Sequence, residues 1–153
     1  MNKMDLRRDL GFAIGEAKRL ATQAMDRRMR PLGLSQATWR ALFHLERHGE
    51  GVTQRALAET MGIEGPSLVR LLDNLERGGL VERRPSLTDR RANTLHLTAK
   101  ARPLLKTINR VADELRAELF DGVGEEALKS ARAVLQQVID NAARLKFDLE
   151  RIA

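Results

Sequence analysis

A mainly α-helical fold with one small β-hairpin is what this sequence predicts. Three observations lead there. Apolar residues, 42 % of the chain, are mostly Leu, Ala, Val and Ile, and they recur at helical spacing along most of its length. Residues 81–97 break that rhythm and read as two short strands around a bend. The length, 153 residues, suits one domain, or a small domain with a dimerisation element, and excludes two large ones.

The first helix spans residues 5–29, where Leu6, Leu10, Ala13, Ala17, Leu20 and Ala24 form a stripe widened by Ile14, Ala21 and Met25. Pro31 and Gly33 end it. Ser35 is a good N-cap for a second helix that buries Trp39, Leu42, Phe43 and Leu45 and stops at Gly49-Glu50-Gly51. Thr53 caps a third helix of about two turns that reaches Met61-Gly62. Pro66 sits near the first turn of a fourth helix running to Arg77. Leu68, Leu71, Leu72 and Leu75 make one face of that helix, and Ser67, Arg70, Asn74 and Arg77 another. Two short helices joined by a tight turn are a helix-turn-helix.

Glu82, Arg83 and Arg84 stand in the first strand of the hairpin, Pro85 to Arg91 form the turn region, and Thr94 to Leu97 return. Asp89 can pair with Arg91 and leave Arg90 pointing outward. Thr98 reads as the cap of a long helix through Leu119, broken by Asp121-Gly122-Val123-Gly124. The last helix carries Leu128, Ala131, Leu135, Val138, Ala142, Leu145, Leu149 and Ile152, spaced three and four apart as a heptad seam. Such a seam serves either packing within the chain or association with a second copy. The second reading assigns Leu6, Leu10, Leu128, Leu135, Val138, Leu145 and Leu149 to a homodimer interface, since paired helix-turn-helix units on a two-fold site need a rigid spacer.

The net charge of +6 is uneven: +4 over residues 1–52, +3 over 53–102 and −1 over 103–153. A basic cluster around the hairpin suits a phosphate backbone, or simply a solvated surface. An α-helix fits the major groove, and residues near its N-terminus reach base edges, which makes Ser67 and Arg70 readers; the same face is otherwise the solvated side of a core-covering helix. A protruding Arg90 suits the narrow minor groove.

Together, Leu57-Ala58, Gly65-Pro66-Ser67-Leu68-Val69-Arg70, Leu75-Glu76-Arg77-Gly78-Gly79-Leu80-Val81, Thr88-Asp89-Arg90-Arg91 and Leu97-Thr98 resemble the MarR family of bacterial winged-helix transcription regulators. Gly33-Leu34-Ser35-Gln36 with Trp39, and Gly62 to Arg70, are similar to its SlyA branch. The resemblance implies a winged helix-turn-helix lobe over residues 35–101 within a single domain of 1–153. Residues 1–30 and 103–153 would be the N- and C-terminal dimerisation helices. It implies a homodimer on a pseudo-palindromic operator in double-stranded DNA, with Pro66, Ser67 and Arg70 at the major groove. Arg90 would be the wing tip, braced by Asp89 and Arg91. Thr53, Gln54 and Arg55 would lie near phosphates, where helix N-terminal amides help. The chain departs from closely similar members at Ala92-Asn93-Thr94, where they are more basic.

The same resemblance implies a small aromatic acid effector near Arg19, Trp39 and Phe43, an Arg beside an aromatic ring being able to hold a carboxylate. Phe43 replaces a polar residue of related proteins there. The plainer reading makes Trp39 core and Arg19 an exposed charge. No enzyme, cofactor or metal site is expected: His44 and His48 are four apart without supporting ligands, there is no Cys, and no Gly-rich phosphate loop occurs. No apolar run reaches membrane-spanning or signal-peptide length, which predicts a cytoplasmic, nucleoid-associated protein without membrane contact. A winged-helix module that binds protein and does not read DNA is the competing function.

Overall fold

The computed structural model of the protein describes residues 3–49, 51–86 and 92–150. The chain forms two compact units, residues 1–116 and 117–153.

In the first unit, α1 (Lys3–Met29) buries only its end, through Met25 and Met29, while residues 6–20 are exposed throughout. A 3₁₀ turn at Arg30–Leu32 closes it. α2 (Gln36–His48) starts on Ser35, whose hydroxyl accepts from the Thr38 N–H at 3.2 Å. Trp39, Ala41, Leu42 and Leu45 are buried; Phe43, expected among them, is half-buried because it stands with Trp39 on the flank of the helix. α3 (Gln54–Met61) is capped by the Thr53 hydroxyl on the Ala56 N–H at 3.2 Å. It ends at Gly62, whose φ of +65° opens the tight turn into α4 (Gly65–Arg77). Leu68, Leu72 and Leu75 of α4 are buried, as their spacing predicts.

β2 (Val81–Pro85) and β3 (Asn93–Leu97) form the antiparallel hairpin. Pro85 pairs with Asn93, so the strand takes in a residue that the sequence had placed in the turn. A third strand, β1 (Val52–Thr53), pairs with β3 and gives the order β1-β3-β2. Thr98 does not cap the next helix. Its hydroxyl donates to the Gly79 carbonyl at 2.6 Å and its N–H to the Leu80 carbonyl, which ties this segment to the end of α4; α5 (Ala101–Leu119) begins three residues later. Leu105, Ile108, Val111 and Leu115 of α5 join Leu42, Leu57, Leu72 and Leu95 in one core. Each fully buried Leu of this set contributes about 1.5–3 kcal/mol.

In the second unit, the Asp121–Gly124 break is present and α6 (Glu125–Glu150) follows. Leu128, Val134, Leu135, Val138, Ile139 and Leu145 are all exposed on it. The Leu149 side chain, Ile152 and the Asp89-Arg90-Arg91 motif fall outside the described residues.

Candidate functional site

Of the expected contact residues, Gln54 and Arg55 lie on the first turn of α3, just after Thr53, and Pro66, Ser67 and Arg70 lie on α4. Pro66 occupies the first turn of α4, Ser67 and Arg70 are exposed beside it, and Arg70 has no ion-pair or hydrogen-bond partner among the described residues. Their opposite side is held by buried Leu68, Leu72 and Leu75, so this polar face is carried on a helix anchored in the core. Arg55, on the first turn of α3, has a side chain 90 % exposed and a 3.2 Å contact with Glu59. An open groove of about 730 Å³ runs between these elements, lined by Thr53, Gln54, Arg55, Gly65, Val69 and Asn93 among others. The start of α3, the start of α4 and the turn end of the hairpin thus surround one hollow.

Gln54 is less free than its position in the sequence implies, because its Oε1 accepts from the Arg83 Nε at 2.9 Å. Arg83 also bonds Asp73 at 2.6 Å and Glu76. Burial works against its charge, but these two carboxylates outweigh it and hold the guanidinium above its ordinary value. The sequence reading counted Arg83 only as one charge in a basic cluster. Asp73 and Glu76, three apart on the helix before the strand, were the available signal.

Arg19, Trp39 and Phe43 do come together. They line a second hollow of about 730 Å³ between α1, α2 and the end of α3, with Lys18, Arg40 and His44. None of the described residues that line it is acidic. Arg19 is engaged by Glu16 at 2.6 Å, and the hydrogen bond from Arg19 draws the Glu16 carboxyl below its usual range. The Trp39 indole N–H donates to Asp26 Oδ1 at 2.7 Å, and the Gln36 amide donates to the other oxygen, which fastens α2 to α1. Trp39 is therefore both core and wall. Arg40 donates to the Met61 carbonyl at 2.9 Å, and His48 Nε2 lies 3.0 Å from the Thr60 hydroxyl, which links the hollow to the end of α3.

Burial pushes the His44 imidazole below its ordinary value, and the charges of Arg40, His48, Arg47 and Lys18 push it the same way. The folded chain thus binds fewer protons there than the unfolded one. Stability should be unaffected by this group above the ordinary imidazole value of about 6.5, and should be lost as pH falls from there through the lowered folded value. Thermal melts between about pH 8 and about pH 5 check this: His44→Gln should shallow the acid loss, and an equal loss in the variant would remove the assignment.

The sequence profile of the MarR family matches residues 32–92. Among solved structures, transcriptional regulator PA3341 shares 40 % identity over 88 % of this chain and 98 % of its own, with a TM-score of 0.83. A MarR-family transcriptional regulator from Rhodococcus sp. RHA1 shares 28 % identity over 87 % of this chain and 94 % of its own, with a TM-score of 0.73. CouR from Rhodococcus jostii RHA1, solved bound to p-coumaroyl-CoA, shares 29 % identity over 87 % of this chain and 93 % of its own, also at 0.73.

Proposed function

The chain belongs to the MarR family of transcriptional regulators, and from that premise we propose that it binds double-stranded DNA sequence-specifically, as a homodimer on a pseudo-palindromic operator. In this reading residues 35–101 form the DNA-binding lobe and residues 1–30 and 103–153 the dimerisation helices. The observation that carries it is the exposed Ser67–Arg70 face at the start of a helix anchored by three buried leucines, Arg70 having no partner among the described residues. An unpaired guanidinium one turn into such a helix can meet a guanine edge with two parallel hydrogen bonds. Pro66 sets the helix start, and Thr53, Gln54 and Arg55 contribute at the phosphates. Asp89, Arg90 and Arg91, outside the described residues, are assigned in this reading to minor-groove contact. The protein acts as a regulator on the nucleoid, not as an enzyme.

Selection of bound fragments from genomic DNA, followed by sequencing, tests the reading. Enriched inverted repeats with half-sites about one helical turn apart, roughly 34–36 Å, are expected. No enrichment over input would favour the protein-interaction module.

The hollow beside Arg19, Trp39 and Phe43 we assign to a small aromatic carboxylate effector. It is supported by Lys18, Arg40 and the Glu16-paired Arg19 lining one hollow with Trp39 and Phe43, none of its described lining residues being acidic, and by the aromatic acyl ligand in the CouR structure. Trp39 is the single Trp of the chain and so reports on the site directly. Titration with hydroxylated benzoates and cinnamates should change its fluorescence and release DNA, and Arg19→Ala should weaken both responses. An unchanged emission up to about 1 mM ligand would remove this assignment.

A further inference from the structure

The helix assigned to the major groove carries two carboxylates, Asp73 and Glu76, whose side chains are 50 % and 42 % exposed. On charge alone both oppose approach to a polyanion. Three residues apart, they lie together on the flank of α4 between its reading face and its buried leucines. Across from them, strand alternation puts Arg83 on the same face of β2 as buried Val81. The Arg83 side chain is only 18 % exposed, and each of its three nitrogens is engaged: Nη2 by Asp73 Oδ1 at 2.6 Å, Nη1 by Glu76 Oε2, and Nε by Gln54 Oε1 at 2.9 Å. Its backbone N–H donates to Glu76 Oε1 at 3.2 Å. Arg84, on the opposite face, is 58 % exposed and pairs with its strand neighbour Glu82.

We propose that Arg83 is a positioning residue that clamps the hairpin to α4 and to the start of α3, fixing where the far end of the hairpin reaches, and that it touches no phosphate itself. The planar fork meets the two carboxylates and the amide oxygen from three separate nitrogens, a spread of donors that the single nitrogen of a lysine ammonium does not reproduce. The clamp gives the two acids on the proposed DNA-facing helix a role, and Arg83 offsets one of their two charges. Its consequence for DNA rests on the DNA-binding reading above; the clamp does not.

Hydrogen exchange on the DNA-free protein, and anisotropy titrations of the genomically selected duplex over a salt series, test it in Arg83→Ala and in Asp73→Ala/Glu76→Ala. Amides of residues 81–84 and 93–97 should exchange faster in both variants while those of α2 and α5 stay protected. Affinity should fall about tenfold in both, the scale of ordering a loosened element on binding. The slope of log K against log salt should be unchanged in Arg83→Ala, whereas loss of a direct phosphate contact lowers it by about 0.9. The double variant is decisive, because removing two negative charges should tighten binding by charge counting and weakens it if the clamp matters. Arg83→Lys, which keeps the charge and loses the fork, should follow Arg83→Ala and serves where the alanine variant does not fold.

Unchanged hairpin exchange, a slope lowered by about one phosphate contact, or tighter binding by the double variant would each overturn the proposal. Faster hairpin exchange in the variants, with no duplex bound by the unaltered protein, would leave the clamp standing and remove the DNA reading instead.

Discussion

Leu135→Asp should dissociate or unfold the proposed dimer and, through loss of paired half-site binding, lower operator affinity by about 10²- to 10⁴-fold. Leu135 is 40 % exposed on α6, and Leu128, Val138 and Leu145 beside it on the seam are 36 %, 47 % and 65 % exposed. A 26-residue helix with that many bare apolar side chains along one stripe is suited to burial against a partner. α1 separately exposes Leu6 and Leu10. An unpaired carboxylate placed in such a seam is costly, because nothing apolar across the interface can solvate it. Gln137→Glu introduces the same charge away from the seam and should leave assembly intact. Sedimentation velocity reads the outcome, and an unchanged coefficient for Leu135→Asp would count against the interface.

Arg70→Ala should reduce discrimination between the operator and a scrambled duplex by about 1–3 kcal/mol, the range for a bidentate guanine contact. Affinity for the scrambled duplex should change much less, because phosphate contacts carry non-specific binding. Ser67→Ala should have a smaller effect of the same kind, a hydroxyl being able to serve several bases. The variants are well suited to this comparison, since both side chains are exposed and the buried leucines of α4 are untouched. If both variants keep their fold and assembly and neither changes the discrimination, the assignment of α4 as reader is wrong.

Local rules explain why much of the lobe was legible. Ser35 and Thr53 cap their helices as their residue types predict, and Gly62 supplies the left-handed turn between α3 and α4. Leu68, Leu72 and Leu75 go to the core because their spacing leaves no other face. The strand Val52–Thr53 escaped notice because two residues are too short for any alternation, and its pairing with Leu95 and Thr94 is set by tertiary structure. Thr98 was misjudged because a cap signature says nothing about a distant carbonyl, here that of Gly79.

The candidate site divides along the same line. Ser67, Arg70, Arg19, Trp39 and Phe43 were reached from helix faces and family resemblance. The bonds of Trp39 to Asp26, Arg40 to Met61 and Arg83 to Gln54 join residues 13, 21 and 29 positions apart, and no periodic pattern encodes them. Charge counting treated Arg83 as available to DNA, whereas the fold spends it on Asp73 and Glu76.

The most direct test of the central claim is the affinity of the unaltered protein for its selected duplex, against a scrambled duplex, across a salt series. A DNA reader of this design should prefer the selected duplex at every salt, with log K falling linearly against log salt as counterions are released. Equal binding to both duplexes, binding independent of salt, or no binding at all would contradict the account.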